Sequence, residues 1–148
     1  MLGGPPAIRS VLFVCAGNTC RSPMAEAVAR GLLSSDVRVE SAGISADDGA
    51  SAAEDAIQAM RERGIDISDH RSRSVTALNL PDFDLVVALT PAIAQALRQH
   101  GTDPARLRAL DIRDPYGKGL EVYRATVLAI ERDLRDLLRL SPEALKDE

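Results

Sequence analysis

Short continuous apolar runs alternate along this chain with stretches whose apolar residues recur every three or four positions. Val11-Leu-Phe-Val14 is a run of the kind shown by a parallel strand buried on both faces. A loop of small and polar residues follows. Ser22 then reads as a helix N-cap and Pro23 as the first helical residue, where a missing N–H does no harm, opening a helix over Met24 to Leu33. Val37 to Glu40 is a short strand, and Ser41 to Ala50, with two Gly and two Asp, is a loop. Ser51-Ala-Ala-Glu54 matches a capping box ahead of a helix marked by Ile57 and Met60 and closed by Gly64. Asp84 to Leu89 is another buried strand, Thr90 caps a helix from Pro91 to about Gln99, and Leu107 to Leu110 is a fourth, weaker strand. Leu120, Tyr123, Val127, Ile130, Leu134 and Leu137 trace the stripe of a long amphipathic helix. Strands separated by helices imply βαβ units, and so an α/β fold: three layers, α/β/α, around a four-stranded parallel sheet with helices on both faces. With no repeat and no low-complexity linker, residues 1–148 read as one domain, with 1–8 and 141–148 as flexible tails.

Composition narrows the class. The 148 residues, 45% hydrophobic and 27% charged, suit one compact soluble domain. No run approaches the roughly 18 apolar residues that a membrane helix needs, and Met1 to Ser10 lacks a secretory signal's basic flank and apolar core, so a cytoplasmic protein with no membrane partner is expected. The balance of 18 basic against 22 acidic residues gives a net charge of -4 and argues against nucleic-acid binding. Aromatics are 3% of the chain (Phe13, Phe83, Tyr116 and Tyr123), so a base-stacking surface is not expected and the core falls to Ala, Leu, Val and Ile.

The candidate chemistry lies in the loop after the first strand, Cys15-Ala-Gly-Asn-Thr-Cys-Arg-Ser22. In an open parallel sheet the ligand sits at the carboxyl ends of the strands, where this loop falls. Small residues feeding a helix N-terminus let several backbone N–H groups point at one centre, an arrangement that binds an oxyanion. With one Gly and no G-K-[ST], it is not a nucleotide loop of the usual kinds. It carries instead a thiol and a guanidinium six positions apart, Cys15 and Arg21. A helix N-terminus and a nearby Arg favour the thiolate, and Arg21 can fork onto two oxygens of a phosphoryl group. Ser22 can donate to the thiolate, and Asn18 tolerates the left-handed backbone of a tight bend. Cys15, Cys20, His70 and His100 would supply four metal ligands. That reading is disfavoured by the loose C-x4-C spacing and by Arg21 beside the would-be cation, and a disulfide framework is improbable without a secretory signal.

Val14-Cys15-Ala-Gly17-Asn18-Thr19-Cys20-Arg21-Ser22-Pro23 resembles the phosphate-binding signature of the low-molecular-weight protein tyrosine phosphatase family, C-x5-R-[ST] in its G-N-x-C-R-S-P version. The resemblance continues through Ser41-Ala42-Gly43, Gly64-Ile65, His70 to Arg73 and Asp114-Pro115-Tyr116, in the family's order. It implies Cys15 as nucleophile, forming a phosphocysteine, with Arg21 stabilising the oxygens and Asp114 as acid and then base. It implies Ala16 to Cys20 and Ser22 as the phosphate-binding loop, Ser41 and His70 as its support, and Tyr116 as a wall of the substrate slot. Cys20 matches a second cysteine able to form a reversible disulfide with the nucleophile. No metal or cofactor is implied, the partner is a phosphorylated protein, and the chain is expected to act as a monomer or weak dimer.

Each residue also has a plainer reading. Asp114 before Pro115 is a common turn residue, His70 suits a surface beside Arg71 and Arg73, and His100 a helix-end charge. The substrate stays open between two phosphoamino acids. Thr19 stands where many phosphotyrosine-cleaving members have a branched apolar residue, and loop 43–50 has no aromatic. Thr19 and Asp114-Pro-Tyr-Gly-Lys-Gly-Leu-Glu-Val-Tyr123 instead resemble the bacterial protein arginine phosphatase branch, for which Asp47 and Asp48 would form acidic lips. Arsenate reduction with an external low-molecular-weight thiol and non-catalytic anion binding are the alternatives. A thioredoxin-coupled reductase would need further cysteines that this chain lacks.

Overall fold

The computed structural model describes residues 7–139 and 145–146. Four strands, β1 (Ser10–Cys15), β2 (Arg38–Gly43), β3 (Leu85–Ala88) and β4 (Leu107–Ala109), form one all-parallel sheet in the order β2-β1-β3-β4. Four helices connect or follow them: α1 (Arg21–Leu32), α2 (Glu54–Arg61), α3 (Pro91–Gln99) and α4 (Leu120–Leu138). The α/β/α expectation holds. Strand order reverses across β1, whose neighbours are reached in opposite directions, so the loop leaving β1 stands at the sheet's switch point.

Alternation along β1 explains the two layers. Val11, Phe13 and Cys15 face one core, built with Met24 and Val28 of α1, Met60 of α2 and Tyr123, Val127, Ile130 and Leu134 of α4. Leu12 and Val14 face the other, with Phe83, Ile93 and Leu97 around α3. Each such side chain, fully buried, contributes roughly 1.5–3 kcal/mol. Among the described residues no helix is long and apolar enough to cross a membrane.

Local boundaries depart from expectation where tertiary contacts act. The first helix begins at Arg21 with Cys20 in the cap position, so Ser22 is no cap and its hydroxyl turns instead to Cys15. The Ser51–Glu54 capping box does not form. Ala53 stands at the cap position of α2 and gives its N–H to the Thr19 carbonyl at 2.9 Å, while Ser51 bridges Arg71 and its hydroxyl accepts from the Arg71 guanidinium at 3.3 Å. Strand β2 extends through Ser41-Ala-Gly43, which pair with Phe13 to Cys15. Thr90 does cap α3, accepting from the Ile93 N–H at 3.2 Å. Residues 1–6, 140–144 and 147–148, most of the expected tails, lie outside the described residues. Residues 145–146 are docked: Leu145 bridges Leu33, and the Lys146 N–H donates to the Leu32 carbonyl at 2.8 Å.

Two ion pairs, Arg124 with Glu62 at 2.6 Å and Arg63 with Glu131, tie the end of α2 to α4. The Arg124 guanidinium lowers the Glu62 carboxyl from 4.5 to about 2. A depressed acid stabilises the fold above its unfolded value and loses that contribution as pH falls through its folded one. Glu62→Gln is therefore expected to lower the urea midpoint at pH 6, with the deficit against wild type shrinking between pH 4.5 and pH 2. Urea titrations across that range measure it.

Candidate active site

The loop after β1 owes its polarity to its outer contacts. The carbonyl of Cys15 accepts from the Ile44 N–H at 3.0 Å, that of Ala16 from the Ser45 N–H at 3.0 Å, that of Asn18 from His70 Nε2 at 2.7 Å, and that of Thr19 from the Ala53 N–H at 2.9 Å. In a trans peptide the C=O and the next N–H point oppositely. Carbonyls drawn outward thus turn the N–H groups of Ala16, Gly17, Thr19 and Cys20 toward the inside of the bend. The result is a concave nest of donors suited to an oxyanion.

Asn18 holds the bend. It is fully buried with φ +57°, the left-handed region that Asn tolerates. Its Nδ2 donates to Ser22 Oγ at 2.8 Å and to Ser41 Oγ at 3.0 Å, and its Oδ1 accepts from the Arg73 N–H at 3.0 Å. Ser41 Oγ donates onward to Glu26 Oε1 at 2.5 Å. Because Ser22 accepts from Asn18, its own proton is free to donate to Cys15 Sγ, 2.9 Å away. The Asn18 N–H reaches the same sulfur at 3.2 Å. Two donors therefore converge on the buried Cys15 sulfur.

Arg21 is nine-tenths buried. Its Nη1 donates to the Ile112 carbonyl at 3.0 Å, and its Nη2 stands 4.0 Å from Asp114 Oδ2. Asp114 is exposed, and its Oδ1 accepts the Tyr116 N–H at 3.0 Å. Cys15, Ala16, Gly17, Thr19, Cys20, Arg21, Asp114 and Tyr116 line one recess of about 180 Å³. Cys20 leans away from the phosphate nest, its sulfur 3.2 Å from the Tyr123 hydroxyl. Tyr116 is 69% exposed at the mouth, whereas Tyr123 is 1% exposed and closed to modification.

The structure thus brings Cys15, Arg21, Asp114, the loop residues and Tyr116 to one recess and places Ser41 and His70 behind it. It does not bring Asp47 and Asp48 there. Asp48 accepts from the Ser74 N–H, the Asp47 carbonyl takes the Ser72 hydroxyl, and neither residue lines the recess, so they are not its acidic lips. Nor are the two histidines gathered at the sulfurs: His70 is on the Asn18 carbonyl, and His100 lines a different hollow beside Leu80 and Arg106. Sequence reasoning missed Glu26, Arg73 and the N–H donors of Ile44, Ser45 and Ala53, which have no side-chain signature. It also passed over Gly43 as a site residue. An added Cβ there would lie 2.4 Å from the Ala16 carbonyl and 3.0 Å from the Asn18 nitrogen.

A doubly wound α/β fold with a thiol, a guanidinium and an oxyanion nest at its switch point defines a cysteine-dependent phosphatase. The family model for low molecular weight phosphotyrosine protein phosphatase matches residues 10–148, and the chain belongs to that family. A probable low molecular weight protein-tyrosine-phosphatase, EpsP, of Ralstonia nicotianae is 37% identical over 134 residues, 84% of this chain and 90% of its own length. A protein-arginine-phosphatase of Bacillus subtilis is 33% identical over 142 residues, 87% of this chain and 94% of its own. The low molecular weight protein tyrosine phosphatase structure from T. tengcongensis matches with a TM-score of 0.76 at 36% identity, covering 88% of this chain and 98% of its own.

Gly43→Ala is expected to push the Ala16 and Asn18 backbone out of position. The overpacking costs about 1–3 kcal/mol of stability, while turnover of an aryl phosphate drops by about 100-fold, as for a small misplacement of reacting groups. Thermal melts and steady-state kinetics on one preparation separate the two effects.

Proposed function

We propose that this protein hydrolyses phosphoamino acids on proteins through a phosphocysteine. The observation that carries the reading is the buried Cys15 sulfur, held by Ser22 Oγ at 2.9 Å and the Asn18 N–H at 3.2 Å in the same recess as Arg21 and Asp114. The Cys15 thiolate attacks phosphorus in line, forming the S–P bond as the bond to the leaving group breaks. Asp114 gives its proton to that leaving group. Water then attacks phosphorus, Asp114 takes its proton, and the S–P bond breaks to release phosphate and the thiolate. Ser22 donates to the departing sulfur. Arg21 and the inward N–H groups of Ala16, Gly17, Thr19 and Cys20 stabilise the equatorial oxygens throughout, a preorganised contribution of several kcal/mol. Ser41 and His70 keep Asn18 in place, and Cys20 guards Cys15 through a reversible disulfide. The reaction needs no cofactor or metal. We read the protein as cytoplasmic, a monomer or weak dimer, acting on phosphorylated proteins.

Phosphotyrosine and phosphoarginine stand nearly level as the first and second substrate readings. Thr19 in the lining, Tyr116 as the lining's one aromatic and the exposed Asp114 carboxylate favour the second. A hydroxyl and a carboxylate suit a guanidinium better than they suit a phenyl ring.

Wild type, Cys15→Ser, Asp114→Asn and Thr19→Ile are to be assayed with phosphotyrosine, phosphoarginine and arsenate. Cys15→Ser is expected to abolish phosphate release. Asp114→Asn is expected to lower it by about 10² to 10⁴-fold, less for a good leaving group. Thr19→Ile is expected to shift the phosphoarginine to phosphotyrosine ratio by about tenfold toward phosphotyrosine. An unmoved ratio sinks the Thr19 argument. Arsenate turnover with an added thiol, or phosphate binding with no hydrolysis, sinks the phosphatase reading.

A further inference from the structure

Cys20 is a buried nucleophilic group that the hydrolytic steps do not use. Its sulfur, in a residue only 5% exposed, lies 3.2 Å from the hydroxyl of Tyr123 in α4, itself 1% exposed. The phenol ring is locked in the core among α4's apolar stripe, so the hydroxyl cannot swing away. The other hydroxyl near this sulfur, Thr19 Oγ1, stands 3.8 Å off, at the outer limit for a bond to sulfur. Cys20 and Cys15 line the same recess.

We propose that Tyr123 is the positioning residue for the second thiol, holding Cys20 as the nucleophile that closes a disulfide onto an oxidised Cys15. The inference rests on the reading of Cys15 as catalytic nucleophile and Cys20 as its guard. Hydrogen peroxide oxidises the Cys15 thiolate by two electrons to the sulfenic acid, releasing hydroxide. The Cys20 sulfur then attacks the Cys15 sulfur: the S–S bond forms, the S–O bond breaks, and the Cys20 proton leaves with the hydroxyl as water. Cys20 attacks as it gives up its proton, and burial opposes the thiolate by pushing the Cys20 thiol up, an effect that the Tyr123 hydrogen bond partly offsets. Burial and the neighbouring Cys20 push the Tyr123 phenol up as well, so it remains a protonated donor at any physiological pH. Without that donor the sulfenic acid outlives its chance to be trapped and proceeds to sulfinic acid.

Tyr123→Phe preserves the ring and removes only the hydroxyl. Reduced enzyme is expected to keep its kcat/KM on an aryl phosphate within about twofold, whereas disulfide closure after a pulse of hydrogen peroxide slows by about fivefold or more, the loss of a hydrogen bond to a charged group. The fraction of activity restored by dithiothreitol is expected to fall toward that of Cys20→Ser, with Cys15 sulfinic acid rising in the mass spectrum. In a Cys15→Ser background, thiolate absorbance is expected to place the Cys20 titration higher when Tyr123 is Phe. Closure and recovery equal to wild type in Tyr123→Phe overturn the proposal. Full recovery in Cys20→Ser overturns the guard reading itself, and hydrolysis that survives in Cys15→Ser overturns the catalytic reading beneath it.

Discussion

The site depends on one constraint: the peptide planes between Cys15 and Cys20 must carry their oxygens outward. A peptide oxygen facing the recess would repel an anion as strongly as an N–H attracts it. Four such oxygens are drawn out by the Ile44, Ser45 and Ala53 N–H groups and by His70. The Ile44 and Ser45 donors are where they are because β2 runs in register with β1, Cys15 opposite Gly43, so the chain leaving β2 passes directly behind the chain leaving β1. Gly43 has no side chain because the two backbones meet there. Sheet pairing and anion recognition are therefore one structure, and a slip in register would turn the donors away as well as invert the core.

The charged groups divide along burial. Arg21 is enclosed and fixed by the Ile112 carbonyl, so its fork is aimed before any ligand arrives. Asp114 is the exposed partner, 4.0 Å away with 58% of its side chain open to solvent. A pair of that length and exposure binds weakly. Arg21 is thus held rigidly by its carbonyl partner, while Asp114 stays open to solvent and only loosely tethered to it.

Much of this was legible in the sequence. The runs at 11–14 and 84–89 and the stripe from Leu120 to Leu137 identified a parallel sheet with helices on both faces, because buried strands and amphipathic helices leave different periodicities. Cys15 and Arg21 stood out through side-chain chemistry, and Asp114 only through the family resemblance, since before Pro115 it reads as a turn residue. What escaped was carried by backbone. The N–H groups of Ile44, Ser45 and Ala53 have no residue-type signature, and the Ser51–Glu54 box did not form because the Ser51 hydroxyl is engaged by Arg71. Ser22 misled for a related reason, since its hydroxyl has the chemistry of a cap but the stronger demand of a buried sulfur and an amide took it. Asp47 and Asp48 looked like lips because their charge would suit a cationic side chain, but charge says nothing about which way a turn faces.

The same physics explains how two cysteines five positions apart acquire opposite characters. Cys15 ends a strand and projects toward the nest, where the Asn18 N–H and the Ser22 hydroxyl donate to it. Cys20 sits at the cap of α1 and projects beneath α4, where apolar side chains surround it and one phenol reaches it. Burial pushes the Cys20 thiol up, with the Tyr123 hydrogen bond acting against it. Both sulfurs still border one recess, and Asn18, in the left-handed region between them, bends the loop that carries the two residues to different partners.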